Sequence, residues 1–124
     1  MKTKIITTIA IGVLILGGFI GLLVYAAGQP GKYDNLAQCL TDSGTKFYGA
    51  FWCPHCQATK ALFGKSAKKI PYVECSTADG KSALPICKDN DIKGYPTWVF
   101  PDGSRLTGEQ TLQTLAEITD CPLN

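Results

Sequence analysis

Ile5 to Ala27 form an unbroken uncharged run, IITTIAIGVLILGGFIGLLVYAA, and the rest of the chain alternates short apolar segments with polar ones. As a helix, the 23 residues of that run would reach roughly 35 Å, enough for a hydrocarbon core of about 30 Å. Beyond it, Asp34 to Thr41 (DNLAQCLT) predicts a short helix with Asp34 as its N-cap and Gly44 as its stop. Thr45 to Phe51 (TKFYGAF) is aromatic and apolar enough for a buried strand, with Phe51 in the core. Pro54 to about Lys68 follows as a helix with Leu62, Phe63 and Ala67 on its apolar side, and Ile70 to Cys75 (IPYVEC) as a second strand. Ser82 caps a helix running to about Asn90, with Pro85 in its first turn. Thr97 to Phe100 (TWVF) is a third strand with Trp98 turned inward, Pro101-Asp102-Gly103 a turn, and Ser104 to Thr107 a fourth strand. Glu109 to Thr119 closes the chain as a helix.

That order is a helix, a β-α-β unit, a further helix and a β-β-α unit. The first unit requires parallel strands joined by a right-handed crossover, and the second an antiparallel pair under a covering helix. The result is an α/β domain with a mixed four-stranded sheet and helices on both faces.

Charge orients the apolar run. Lys2 and Lys4 precede it and the next cation is Lys32, so the positive-inside rule keeps Met1 cytoplasmic and exports everything from Gly28 onward. A cleaved signal peptide, cut after Ala26, is the rival reading, but signal h-regions span about 7–15 residues and this run is longer. The expected organisation is a cytoplasmic stub at residues 1–4, a signal-anchor at 5–27, a linker at 28–33 and a domain at 34–124. Export implies a single-pass membrane protein with an extracytoplasmic domain. From Gly28 onward ten Lys/Arg balance ten Asp/Glu, because two of the 12 cations lie in the stub. No basic face for nucleic acid is visible. Lys65, Lys68 and Lys69 read as a solvated helix end.

Outside the cytoplasm the six cysteines are read against a disulfide-permissive compartment. Cys53 and Cys56 lie one turn apart at a helix start, where free N–H groups and the helix dipole favour a thiolate at Cys53. Cys56, a turn further in, is placed to attack a mixed disulfide formed at Cys53. His55 offers a donor to that thiolate, which stabilises the reduced form and makes the disulfide more oxidising. A two-residue gap closes too small a loop for an inert structural bridge to gain much. Cys53, His55 and Cys56 as metal ligands would lack a fourth donor and have the wrong spacing for common zinc fingers, so no metal is expected.

Phe51-Trp52-Cys53-Pro54-His55-Cys56 after a strand, with Tyr95-Pro96-Thr97 some forty residues on, resembles a thioredoxin-fold oxidoreductase. The Pro54-His55 pair between the cysteines is similar to that of periplasmic disulfide-forming enzymes. AQCLTDSGTKFYGAFWCPHCQ and IPYVEC, followed by GYPTW and TGEQTL, resemble the thioredoxin-like domain associated with bacterial vitamin K epoxide reductase homologues. The resemblance implies that Pro96 is cis beside the active-site pair, the one bond type where cis is cheap. It also implies that Tyr95, Pro96 and Thr97 position the partner protein, with Trp52 as a half-exposed rim. It implies a quinone-linked membrane oxidase as a separate partner chain, with no cofactor bound directly by this one. One position departs from the family: Phe47 stands where thioredoxins carry a buried carboxylate, six residues before the first cysteine. Glu74 and Asp42 are the nearest substitutes in sequence.

The remaining four cysteines allow three pairings. Cys75 ends the second strand and Cys87 lies in the following helix. Cys39 lies in the first helix of the domain and Cys121 after the last. These placements favour Cys75–Cys87 and Cys39–Cys121 as structural staples, against a sharper reading of Cys75–Cys87 as a second redox pair. The expected function is oxidation of thiols in exported proteins. The alternatives are a reductase or isomerase of exported disulfides, or a metal-binding or metal-delivery module on the same fold.

Overall fold

The computed structural model describes residues 1–124 and separates into two units, Met1–Pro30 and Gly31–Asn124. The first is a single helix, α1 (Lys2–Gly28), long and apolar enough to cross a membrane and with no buried residue. The second begins at Gly31, and the Tyr33 N–H donates to Ser66 Oγ at 3.0 Å. Residues 31–33 of the expected linker therefore belong to the compact unit.

Within that unit the order is α2 (Asp34–Asp42), β1 (Lys46–Gly49), α3 (Pro54–Phe63), a 3-10 segment (Gly64–Lys69), β2 (Tyr72–Glu74), α4 (Pro85–Asp89), β3 (Thr97–Val99), β4 (Arg105–Thr107) and α5 (Leu112–Thr119). The strands lie in the order β2-β1-β3-β4, with β1 and β2 parallel and the other pairs antiparallel. The register aligns Tyr72, Phe47, Trp98 and Leu106 across one face. Period-two alternation puts those side chains into the main core with Leu36, Leu40, Phe63 and Leu115 from α2, α3 and α5. Phe47 stacks on Trp98 with centroids 4.5 Å apart and meets Tyr72 edge-on at 5.4 Å. Tyr48, Val73 and Val99 face the opposite side and pack on Cys75, Cys87 and Ile92.

Several sequence-derived boundaries shift, each for a local reason. Asp34 is the first residue of α2 and not its cap; Tyr33 occupies the cap position, and the Asp34 carboxylate pairs with Lys69 Nζ at 2.9 Å. α3 stops at Phe63 because Gly64 takes φ +54°, which few side chains tolerate, and Leu62 is left exposed while Phe63 is buried. α4 starts at Pro85 with Leu84 as its cap, since Ser82 is held in a turn with Thr77. α5 starts at Leu112 because the Thr111 hydroxyl accepts the Thr114 N–H at 3.0 Å, a side-chain cap that Glu109 cannot supply. Phe51 lies beyond the end of β1 and is 47% exposed, contrary to its expected core position.

Candidate active site

β1 ends at Gly49, and the Cys53 N–H donates to Ala50 O at 3.0 Å, closing a tight turn that delivers Cys53 to the N-cap of α3. Pro54 at the first helical position gives up only an N–H that has no helical partner there. The Cys56 N–H donates to Cys53 Sγ at 3.4 Å, and the Cys53 thiol lies 3.8 Å from the Tyr95 carbonyl oxygen. The Cys53 sulfur thus takes up a backbone N–H that would otherwise lack a partner at the helix start. Cys53 and Cys56 are the two free cysteines, with Cys53 5% exposed and Cys56 fully buried. Burial first, and the hydrogen bond with Cys53 second, push the Cys56 thiol up to about 12. Cys56 therefore stays a neutral thiol at pH 7 until the chemistry calls on it.

The Tyr95–Pro96 bond is cis, and the Pro96 carbonyl accepts the Gly108 N–H at 2.8 Å. Gly108 has φ +89°, a conformation that suits glycine. Pro96 and Thr97 are buried, and the Thr97 hydroxyl donates to Gly94 O at 2.7 Å, so Thr97 offers no side chain to a partner. Tyr95 is half-buried, with its ring edge-on to Trp52 at 6.1 Å. Trp52 is half-exposed; its Nε1–H donates to Ser76 Oγ at 2.8 Å, which fixes the ring at the rim. His55 turns outward: its Nδ1 pairs with Glu109 Oε1 at 2.5 Å and no hydrogen bond joins it to Cys53. The donor expected from His55 to the Cys53 thiolate is therefore engaged elsewhere. Glu109 had no local signal in the sequence, since it reaches His55 across 54 positions.

Phe47 occupies the strand position of the usual carboxylate and packs in the core. Of its two candidate substitutes, Asp42 ends α2, where it accepts from Gln38 Nε2. Glu74 ends β2 and accepts from Tyr72 Oη at 2.7 Å and from the Ser76 N–H at 2.8 Å. Burial raises the Glu74 carboxyl, but these bonds, with the Phe51 and Cys75 N–H groups, hold it below its ordinary value overall. The same burial, and the bond to Glu74, raise the Tyr72 phenol. Lys60 and Tyr72, neither of them a residue the sequence marks for the site, complete this cluster. Only the i, i+4 spacing of Cys56 and Lys60 hinted at it.

Disulfides join Cys39 to Cys121 (S–S 2.01 Å) and Cys75 to Cys87 (S–S 1.98 Å). No group of three or more His, Cys, Asp or Glu side chains is gathered in a way that could hold a metal ion.

The thioredoxin family model matches residues 34–120. Thiol-disulfide oxidoreductase LTO1 of Arabidopsis thaliana is 44% identical over 93 residues, covering 72% of this chain and 24% of that protein. The thioredoxin domain-containing protein 5 homolog of Drosophila melanogaster is 37% identical over 78 residues, covering 56% of this chain and 18% of that protein. The chain thus spans about a quarter or less of the length of these relatives. Its mixed sheet, its helix-capping cysteine and the match over 34–120 agree: the chain belongs to the thioredoxin family.

Proposed function

We propose that this protein is a membrane-anchored, extracytoplasmic thiol–disulfide oxidoreductase whose redox centre is the Cys53–Cys56 pair. The observation that carries the reading is Cys53 Sγ at the N-cap of α3, accepting the Cys56 N–H and facing the Tyr95 carbonyl beside cis-Pro96. In the oxidising direction a target thiolate attacks Cys53 Sγ, the Cys53–Cys56 bond breaks and Cys56 leaves with the electron pair. A second target thiol then attacks the mixed disulfide, freeing an oxidised target and leaving two electrons and two protons on the cysteines. Thioredoxin-like oxidoreductases act on protein thiols; here the targets are thiols of exported proteins, with Tyr95 and Trp52 at the docking edge over the buried Pro96.

Reoxidation runs by a second disulfide exchange with a separate membrane oxidase resembling the vitamin K epoxide reductase homologues, where the quinone resides. The apolar helix α1 supports the anchor, with Met1 to Lys4 cytoplasmic, Ile5 to Ala27 spanning, and the domain from Asp34 outside. The name of the Arabidopsis relative supports the redox chemistry. His55 tunes the potential from the rim through its pair with Glu109.

The test is the reduction potential of the Cys53–Cys56 pair in the full chain in detergent, equilibrated against glutathione. A value of about −120 to −200 mV supports the oxidising cycle. A value near about −270 mV makes the protein a reductant and overturns the direction proposed. Absence of any reversible couple overturns the redox reading itself.

A further inference from the structure

One turn along α3 from the buried Cys56 lies a cation that the Cys-Pro-His-Cys motif does not contain. Lys60 follows Cys56 by four residues, so the two lie on one side of α3. Its Nζ stands 3.4 Å from the centre of the Tyr72 ring. Tyr72 is tethered in turn, its Oη donating to Glu74 Oε2 at 2.7 Å, and Glu74 Oε1 accepts the N–H groups of Phe51 at 3.2 Å and Ser76 at 2.8 Å. Gly49 lets these groups meet, because a Cβ there would lie 2.9 Å from both Cys56 Sγ and Tyr72 Cε2. The titratable groups around the Cys56 sulfur are Cys53 and Lys60 on α3, Tyr72 and Glu74 on β2, and Tyr95 before β3. Lys60 is the one cation among them.

We propose that Lys60 is the cation that supports the Cys56 thiolate during disulfide exchange, with Tyr72 and Glu74 as the positioning residues that hold its ammonium near the sulfur. This inference rests on Cys53–Cys56 being the redox pair. In the resolving direction the Cys56 S–H loses its proton and its sulfur bonds to Cys53 Sγ. The bond from Cys53 to the target sulfur breaks, and that sulfur leaves with the electron pair and takes up the proton. In the reverse direction the target thiol gives up its proton, its sulfur bonds to Cys53, and Cys56 departs with the electron pair and is protonated. Both directions place negative charge on Cys56 in a site where burial opposes it, so a nearby ammonium lowers the barrier either way. The cluster fills the role left vacant by Phe47, with a cation supporting the thiolate instead of a carboxylate taking its proton.

The test uses the full chain in detergent, reduced at Cys53 and Cys56 with both other disulfides intact, and oxidised glutathione as the probe. Acid quenching and mass spectrometry separate glutathione addition to Cys53 from loss of that adduct as the Cys53–Cys56 bond forms. Lys60→Met should slow the second step about tenfold at pH 7 and move its pH profile alkaline by about one unit, leaving the first step within about twofold. Lys60→Arg should restore most of the rate, and Tyr72→Phe, which keeps the ring but loses the tether, should slow the second step about threefold. An unchanged second step in folded Lys60→Met, or equal slowing of both steps, overturns the inference. Should Lys60→Met fail to fold, Tyr72→Phe decides by the same comparison. If the unaltered chain forms no adduct at Cys53, the redox reading falls and the inference with it.

Discussion

The backbone N–H of Cys56 donates to the sulfur of Cys53 at 3.4 Å, so the first turn of α3 is capped by a cysteine side chain. One helix start thereby treats two chemically identical side chains in opposite ways. The outer sulfur receives a hydrogen bond and the positive end of the helix dipole, while the inner one is walled off from water.

Alkylation should reveal this asymmetry directly. With Cys56 pushed up to about 12 by burial, iodoacetamide at pH 7 should modify Cys53 and leave Cys56 untouched on the same timescale. The sign for stability follows from the same shift. A folded value raised above the ordinary 9.0 means that the reduced fold is fully supported below pH 9 and loses stability as pH climbs toward 12, relative to the oxidised fold. Peptide mapping after labelling checks the first statement; denaturant midpoints of the two redox forms between pH 8 and 11 check the second. Equal labelling of both cysteines at pH 7 would contradict the asymmetry.

Gly49→Ala should be destabilising although its backbone conformation is open to any residue. The added methyl would sit 2.9 Å from Cys56 Sγ and Tyr72 Cε2, closer than carbon contacts allow, and the neighbours are a helix-borne sulfur and an aromatic ring. Overpacking of this kind costs about 1–3 kcal/mol. The same change should also slow Cys56 chemistry, because the methyl separates the thiol from the Tyr72–Lys60 stack. Tryptophan fluorescence reports on the domain alone, since both tryptophans, Trp52 and Trp98, lie outside α1. A Gly49→Ala variant with an unshifted urea midpoint would show that the pocket yields more easily than its contacts indicate.

Much of the architecture was legible because it follows from local pattern. The alternation in KFY and TWV sorts Phe47 and Trp98 to one face and Tyr48 and Val99 to the other, and the β-α-β then β-β-α order dictates the observed pairings. The start of α3 was legible because a cap residue followed by proline is a local signal. Its end was read too late, since the turn at Gly64 breaks the α-helix while the chain continues as 3-10. Phe51 was misread because β1 stops at Gly49, two residues before the apolar run does. Glu109 beside His55 depends on an approach across 54 positions, and Lys60 over Tyr72 on how α3 packs against β2, neither of which a strand or helix pattern encodes.

The two disulfides should contribute unequally. Cys39–Cys121 closes a separation of 82 residues and Cys75–Cys87 one of 12. Chain-entropy reasoning gives about 4.5 kcal/mol for the first and about 3 kcal/mol for the second. Double serine variants should therefore lose more stability at Cys39 and Cys121 than at Cys75 and Cys87. The smaller bridge is fully buried under Tyr48 and Val73, on the face of the sheet away from the main core, so its loss should leave exchange at Cys53 within about twofold. Loss of turnover in a folded Cys75→Ser, Cys87→Ser variant would instead make that bridge a participant in electron transfer.

Acid should weaken the domain through the contact between its first and third helical segments. Asp34 opens α2 and meets Lys69 Nζ at 2.9 Å at the end of the 3-10 segment; that hydrogen bond, more than any other influence, holds the Asp34 carboxyl below its ordinary 3.8. A folded value depressed below the unfolded one gives stability that is present above about pH 4 and lost as pH falls through the folded value. Glu74 moves in the same direction, through its bonds from Tyr72 and the Ser76 N–H. Lys69→Met removes the cation and should flatten the loss between pH 4 and 2 by the Asp34 share, while Tyr72→Phe should flatten it by part of the Glu74 share. Asp34 is held chiefly by an ion, so salt should diminish its contribution more than that of Glu74, which is held by backbone N–H groups. Urea midpoints followed by tryptophan fluorescence from pH 7 to 2, at low and high salt, measure all of these. An acid limb identical in the unaltered chain and Lys69→Met would show that the Asp34–Lys69 pair does not couple to folding.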